Sequence, residues 1–152
     1  MKANLLILML IASCCLSQTA ISQKANATGA VRVVVAGTSH GHSAWILNKA
    51  NNEEMEIVGI YEPDKTLAAQ NARKYHLDPS LFYNDLNQVL DIKKPEAVLA
   101  FGSIKEHLYV VQVAAPRGIH IMVEKPLGVS LKDAALMKSI ACLLYTSDAA
   151  DE

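Results

Sequence analysis

Three short segments hold residues whose types and spacing could do chemistry. The first is Gly37-Thr38-Ser39-His40-Gly41-His42, which follows an apolar run and precedes residues of helical character. Small residues at such a turn let the backbone approach a pyrophosphate, and free N–H groups at a helix start favour an anion. A dinucleotide fingerprint reads G-x-G-x-x-G. Here Ser39 holds the second glycine place and His42 the third, with Gly41 one place early. A purely structural tight turn accounts for these six residues about as well. The second segment centres on Glu62, 25 residues after Gly37. An acidic residue about 20 residues beyond the turn accepts hydrogen bonds from the adenosine ribose hydroxyls. It also repels a 2′-phosphate, so NAD is expected over NADP; the plain alternative is a solvated carboxylate at a strand end. The third is Val123-Glu124-Lys125-Pro126-Leu127-Gly128. A lysine desolvated beside an apolar sheet edge is placed to move a proton, and a charged turn is the alternative. His40 and His42 could share a metal ion, but no third ligand stands near them in the sequence. Zinc sites want three or four ligands, so no metal is expected.

The elements that must position these residues alternate. Val31 to Ala36 is nearly continuous and β-branched, as in a strand buried on both faces. Ser43 to Asn51 has helical character, with Trp45, Ile46 and Leu47 as its apolar surface. Glu56 to Tyr61 is a second strand, stopped by Glu62-Pro63-Asp64, and Lys65 to Tyr75 an Ala-rich helix. Leu81 to Tyr83 is a brief third strand. Asp85 caps a short helix running through Leu90. Ala97 to Phe101 is the fourth strand, His107 to Arg117 a helix closed by Gly118, and Ile119 to Val123 the fifth strand. Ser130 opens a last helix, with Ser130-Leu-Lys-Asp133 as a capping box in which Asp replaces Glu or Gln. Strands and helices in this order imply an α/β fold, a doubly wound parallel sheet with right-handed crossovers.

The chain has 152 residues, 51% of them hydrophobic and 19% charged, with a net charge of -1. A globular core is within reach, and the charge offers no basic field for nucleic acid and no polybasic membrane patch. No apolar run is long enough for a membrane span. Both ends read differently from the middle. Lys2, the apolar run Leu5 to Ala12 and the small residues after it have the order of a secretory signal. One cleavage site falls after Ser22, giving a signal over 1–22. The competing site, Ile11-Ala12-Ser13-Cys14, resembles a bacterial lipobox that would end the signal at 13 and put a lipid on Cys14. Either makes the protein exported, periplasmic or lipid-anchored, followed by a polar linker over 23–30. At the other end, Cys142 to Glu152 departs from the hydrophobic pattern of the preceding helix. It resembles a common sequencing-library adapter translated in frame, which would end the genuine domain, 31–141, at about Ala141. That domain contains none of the three cysteines, Cys14, Cys15 and Cys142, so no disulfide or thiolate metal site is expected within it.

At Glu124-Lys125-Pro126 after an apolar strand, with Gly118 just upstream, the chain resembles the glucose–fructose oxidoreductase, inositol dehydrogenase and rhizopine-catabolism family (Gfo/Idh/MocA). His107, 11 residues before Gly118, fits the His of that family's T-P-x-x-x-H-like segment, and Glu62-Pro63-Asp64 its acidic-Pro turn. The resemblance spans about Val31 to Ala141. It implies a nicotinamide cofactor at the strand C-termini, with Lys125 facing nicotinamide and substrate as the catalytic residue. Glu124, Pro126 and His107 would stand beside the cofactor with Gly37, Thr38, Ser39, His40, Gly41, His42 and Glu62. It implies hydride transfer to or from a sugar, polyol or derivative, a second substrate-binding α/β domain, and a homo-oligomer of the full-length protein. Two features depart from the family, the altered glycine turn and Gly102-Ser103 where Thr-Pro is frequent, and the second domain is expected to be missing after about Ala141. The alternatives are a non-catalytic dinucleotide- or sugar-binding module and, separately, a surface-anchored lipoprotein module held through Cys14.

Overall fold

The computed structural model describes residues 29–49 and 53–148. The expected signal over 1–22 and linker residues 23–28 lie outside them. Five parallel strands are arranged β3-β2-β1-β4-β5. They are β1 (Val31–Ala36), β2 (Met55–Tyr61), β3 (Phe82–Tyr83), β4 (Ala97–Ala100) and β5 (His120–Val123). The helices between them are α1 (Ser43–Leu47), α2 (Lys65–Lys74), α3 (Leu86–Lys93) and α4 (Ile104–Ala114), with α5 (Leu131–Asp148) after the last strand. The doubly wound parallel sheet expected from the sequence is the observed fold.

The β-branched run of β1 makes sense in this arrangement. Val34 and Ala36 pack on one face with Leu86, Val89 and Leu90 of α3 and Val110 and Ala114 of α4. Val33 and Val35 pack on the other with Leu47 of α1, Ile57, Ile60 and Phe101. A central strand covered on both faces has no solvent side, so its side chains do not alternate in polarity. Helix starts are set by side-chain caps. Asp64 accepts from the N–H of Thr66 and Leu67, Asp85 from those of Asn87 and Gln88, and the Ser130 hydroxyl from that of Asp133.

Three elements differ from expectation. Helix α4 begins at Ile104, three residues before His107, because the Glu106 carboxylate reaches back to accept from the N–H and hydroxyl of Ser103. Helix α1 ends at Leu47, and Trp45 is 65% exposed rather than packed in the core. Helix α5 runs to Asp148, past Ala141 where its pattern was expected to break. Cys142-Leu-Leu-Tyr contains no Gly or Pro, so the backbone ladder continues where the hydrophobic period does not.

The strand register fixes where the site can be. Ala36 is paired with Tyr61 and Ala100, and Ala100 with Val123. The next residues along these four strands, Gly37, Glu62, Phe101 and Glu124, therefore share one edge of the sheet. Strand order reverses between β1 and β4, and in open α/β sheets ligands bind in the crevice outside such a switch point.

Candidate functional site

Gly37 leaves β1 with φ +77°, a left-handed conformation that glycine adopts at little cost. Its N–H donates to Tyr61 O at 2.7 Å. A Cβ at Gly37 would stand 2.4 Å from Gly102 Cα, so the turns after β1 and β4 touch glycine on glycine. Beyond it, His40 N–H donates to Phe101 O at 2.9 Å, holding the turn against the end of β4.

Glu62 sits behind this turn, only 6% exposed. Its Oε2 accepts from the Thr38 N–H at 2.9 Å and the Thr38 hydroxyl at 2.6 Å, and its Oε1 from the Asp64 N–H at 3.1 Å. Asn71 of α2 donates to the Thr38 hydroxyl oxygen at 2.8 Å. The carboxylate thus ties the turn to β2, and Oε1 keeps capacity for one more donor. The N–H groups of Ser39 and Gly41 have no acceptor among the described residues. A Cβ at Gly41 would meet nothing within 4 Å. Two free donors over open space fit the pyrophosphate of a dinucleotide. They act as separate N–H groups, since α1 is little more than one turn long and has no developed dipole.

Glu124 enters from the end of β5. Its Oε2 lies 2.7 Å from His42 Nδ1 and its Oε1 accepts from the Lys125 N–H at 2.9 Å. The His42 contact, with that N–H, holds the Glu124 carboxyl down at about 2, so it is ionised across the working range of pH. His42 in turn stacks on Trp45, ring centroids 4.0 Å apart. Lys125 Nζ lies 3.3 Å from Glu124 Oε1, and the side chain is 74% exposed. The desolvation expected of Lys125 is therefore absent: its ammonium stands in solvent against a carboxylate. The Lys125-Pro126 peptide bond is cis.

His107 takes a different place from the one expected. It is 1% exposed, and Nδ1–H donates to Leu127 O at 3.2 Å. It holds the Glu124–Gly128 loop from beneath, so its part is to position that loop. Its buried Nε2 has no partner among the described residues.

The structure thus brings Gly37, Thr38, Ser39, His40, Gly41, His42, Glu62, Glu124 and Lys125 to one edge of the sheet, with Pro126 following in the same loop. In the sequence Gly102 stands out only as a departure from the family and Trp45 only as apolar helix surface, without their contacts at the site. The S-x-x-E signal at Ser103 would have moved the start of α4 forward and exposed Gly102 as the turn residue. No third ligand beside His40 and His42 is evident in the sequence; the folded sheet brings the Glu124 carboxylate from the end of β5 close to both.

Residues 31–142 match the model of the Gfo/Idh/MocA oxidoreductase family, NAD-binding Rossmann fold. The chain belongs to that family. No curated protein sequence matches it. Among solved structures, it is similar to a probable dehydrogenase from Thermotoga maritima, with 20% identity and TM-score 0.65, covering 75% of this chain and 34% of that one. It is also similar to UDP-N-acetylglucosamine 3-dehydrogenase from Acidithiobacillus ferrooxidans, with 20% identity and TM-score 0.62, covering 76% and 36%. An inositol dehydrogenase homolog complexed with NAD+ from Azotobacter vinelandii has 18% identity and TM-score 0.61, covering 76% and 32%. The chain therefore spans about a third of the length of these relatives. Within the Gfo/Idh/MocA family, its Gly102-Ser103 departure has a local reason: Gly102 admits the close approach of Gly37, and Ser103 caps α4.

Proposed function

We propose that this chain is the cofactor-binding part of an NAD-dependent enzyme that oxidises or reduces a sugar, polyol or derivative. The observation that carries the reading is the convergence at the switch point of a turn with two free N–H donors, the ribose-facing candidate Glu62 and the exposed ammonium of Lys125. NAD supplies the hydride acceptor or donor. Ser39 and Gly41 hold the pyrophosphate through their N–H groups. Glu62 holds the turn through Thr38 and offers Oε1 to a ribose hydroxyl. In oxidation the neutral Lys125 amine would take the proton of the substrate hydroxyl, in reduction its ammonium would return it, and Glu124 holds the side chain at the end of β5. Family membership and the sugar and polyol dehydrogenases among structural relatives support this class of substrate. A hydride transfer needs the alcohol carbon within about 3–3.5 Å of the nicotinamide, and the residues here line only one side of that space. The chain by itself is therefore inactive in this reading.

Glu62 also sets cofactor choice. Dissociation constants for NAD and NADP should favour NAD, and Glu62→Ala should narrow the ratio by weakening NAD and relieving repulsion of the 2′-phosphate. A wild-type preference for NADP would overturn this. Lys65 and Arg73, which line a cavity of about 440 Å³ with Glu62, would then be the cations that hold the phosphate.

We also propose that the leader over 1–22 exports the protein, with lipid on Cys14 as the alternative processing. Mass spectrometry of the mature N-terminus should find Gln23 or a lipidated Cys14; an intact Met1 would remove the export reading.

A further inference from the structure

We propose that His40, His42 and Glu124 bind one divalent transition-metal ion of the zinc class. The two histidines come from the turn after β1 and the carboxylate from the end of β5, and one ligand atom from each lies within 4.8 Å of the others. Glu124 Oε2 is 2.7 Å from His42 Nδ1 and 4.0 Å from His40 Nδ1. Ligands about 2.0–2.2 Å from a tetrahedral zinc stand roughly 3.3–3.5 Å from one another. The first pair must open and the second must close, each by about 1 Å or less.

The His42 N–H donates to His40 Nδ1 at 3.3 Å, so that nitrogen is unprotonated, and an ion takes its one lone pair in place of this long hydrogen bond. The His40 and His42 rings meet edge to face at 4.7 Å. Stacking on Trp45 holds the His42 ring upright beside the carboxylate. Glu124 is mostly buried while both histidines are half-buried, so an ion can enter from solvent into a site whose anionic ligand is fixed. In the free protein a proton on His42 Nδ1 stands between imidazole and carboxylate. Binding shifts the neutral ring to the tautomer with its proton on Nε2, and Nδ1 and Oε2 then both face the ion. Two imidazoles and one carboxylate suit zinc, cobalt or nickel rather than magnesium or calcium, which take oxygen ligands. Three protein ligands leave a fourth position for water or an anionic oxygen.

The glycine turn gives a second argument. His42 occupies the third glycine place of the dinucleotide fingerprint. The departure from the fingerprint and the cluster are the same feature of the sequence.

The test uses the full chain and no nucleotide, so it is independent of the cofactor reading. Zinc and cobalt are titrated separately, followed by calorimetry and by emission of Trp45, the only tryptophan in the chain. The expected result is one ion per chain and a change in Trp45 emission. His42→Asn and Glu124→Gln should each weaken zinc binding about 100-fold or more, while exposed His76→Asn should not change it. The cobalt spectrum should show nitrogen and oxygen ligation without a thiolate charge-transfer band, which excludes Cys14, Cys15 and Cys142 as the ligands. Absence of saturable binding by the wild-type chain would overturn the proposal. So would equal affinity in folded Glu124→Gln protein, or a thiolate band that accounts for all the bound cobalt.

Discussion

Replacing Lys125 by alanine, in the enzyme completed by its substrate-binding region, should lower turnover about 10²–10⁴-fold, the contribution typical of a general acid or base. NAD affinity should change little, because the ammonium is exposed and bonds to Glu124 rather than to the turn that receives the pyrophosphate. Lys125→Arg separates charge from proton transfer: a guanidinium keeps the positive charge beside Glu124 but does not give up its proton near neutral pH. Both variants should therefore be slow, and the limb of the pH–rate profile that reports the lysine should vanish in both. Turnover near the wild-type value in Lys125→Ala would remove the lysine from the mechanism. Recovery in Lys125→Arg would leave it only an electrostatic part.

Gly37→Ala should be the most disruptive single methyl in the molecule. The residue has φ +77°, and its added Cβ would stand 2.4 Å from Gly102 Cα and 2.6 Å from Gly102 N. Both obstacles are backbone, so no side-chain rotation relieves them. Left-handed strain and overpacking each cost about 1–3 kcal/mol, so a loss of roughly 2–6 kcal/mol is expected. That lowers the midpoint of thermal unfolding by about 10 °C or more in a domain of this size. Gly41→Ala is the internal comparison: its Cβ would meet nothing within 4 Å and its φ is not left-handed, so the midpoint should barely move. Equal effects of the two substitutions would mean that the contact between the turns after β1 and β4 does not hold the fold.

The sheet was legible because its signals are local and redundant. Val31 to Ala36 could hardly be anything but a two-sided strand, and Asp85 announced the helix that it caps. Boundaries failed where two signals competed. At α4 the apolar period drew attention to His107, while the polar Ser103-Ile-Lys-Glu106 capping segment, also in the sequence, set the true start. Trp45 failed for another reason. A tryptophan in a helical stretch usually marks a core face, but α1 is too short to turn every apolar residue inward, and His42 supplies a ring to stack on. The residue types of the site were legible, but its contacts were not. Glu62 looked free for a ribose, yet its burial and its bonds to Thr38 depend on how β1 and β2 align. The meeting of Glu124 with His42 joins residues from two strand ends separated by β4. No periodicity reports such a contact. It follows from strand order and register, which only the folded sheet defines.

The cofactor-binding reading rests on NAD lying against the Gly37–His42 turn. Trp45 makes that measurable, because it stacks on His42 and is the only tryptophan in the chain. The chain is titrated with NADH under excitation of Trp45, and energy transfer to the reduced nicotinamide is recorded. The account predicts saturable transfer at one site per chain, reversed by excess NAD and weakened in Gly41→Val, where a branched side chain would enter the open space beside the Gly41 N–H. Absence of transfer at saturating NADH, or binding that Gly41→Val leaves unchanged, would contradict the placement of the cofactor at this turn.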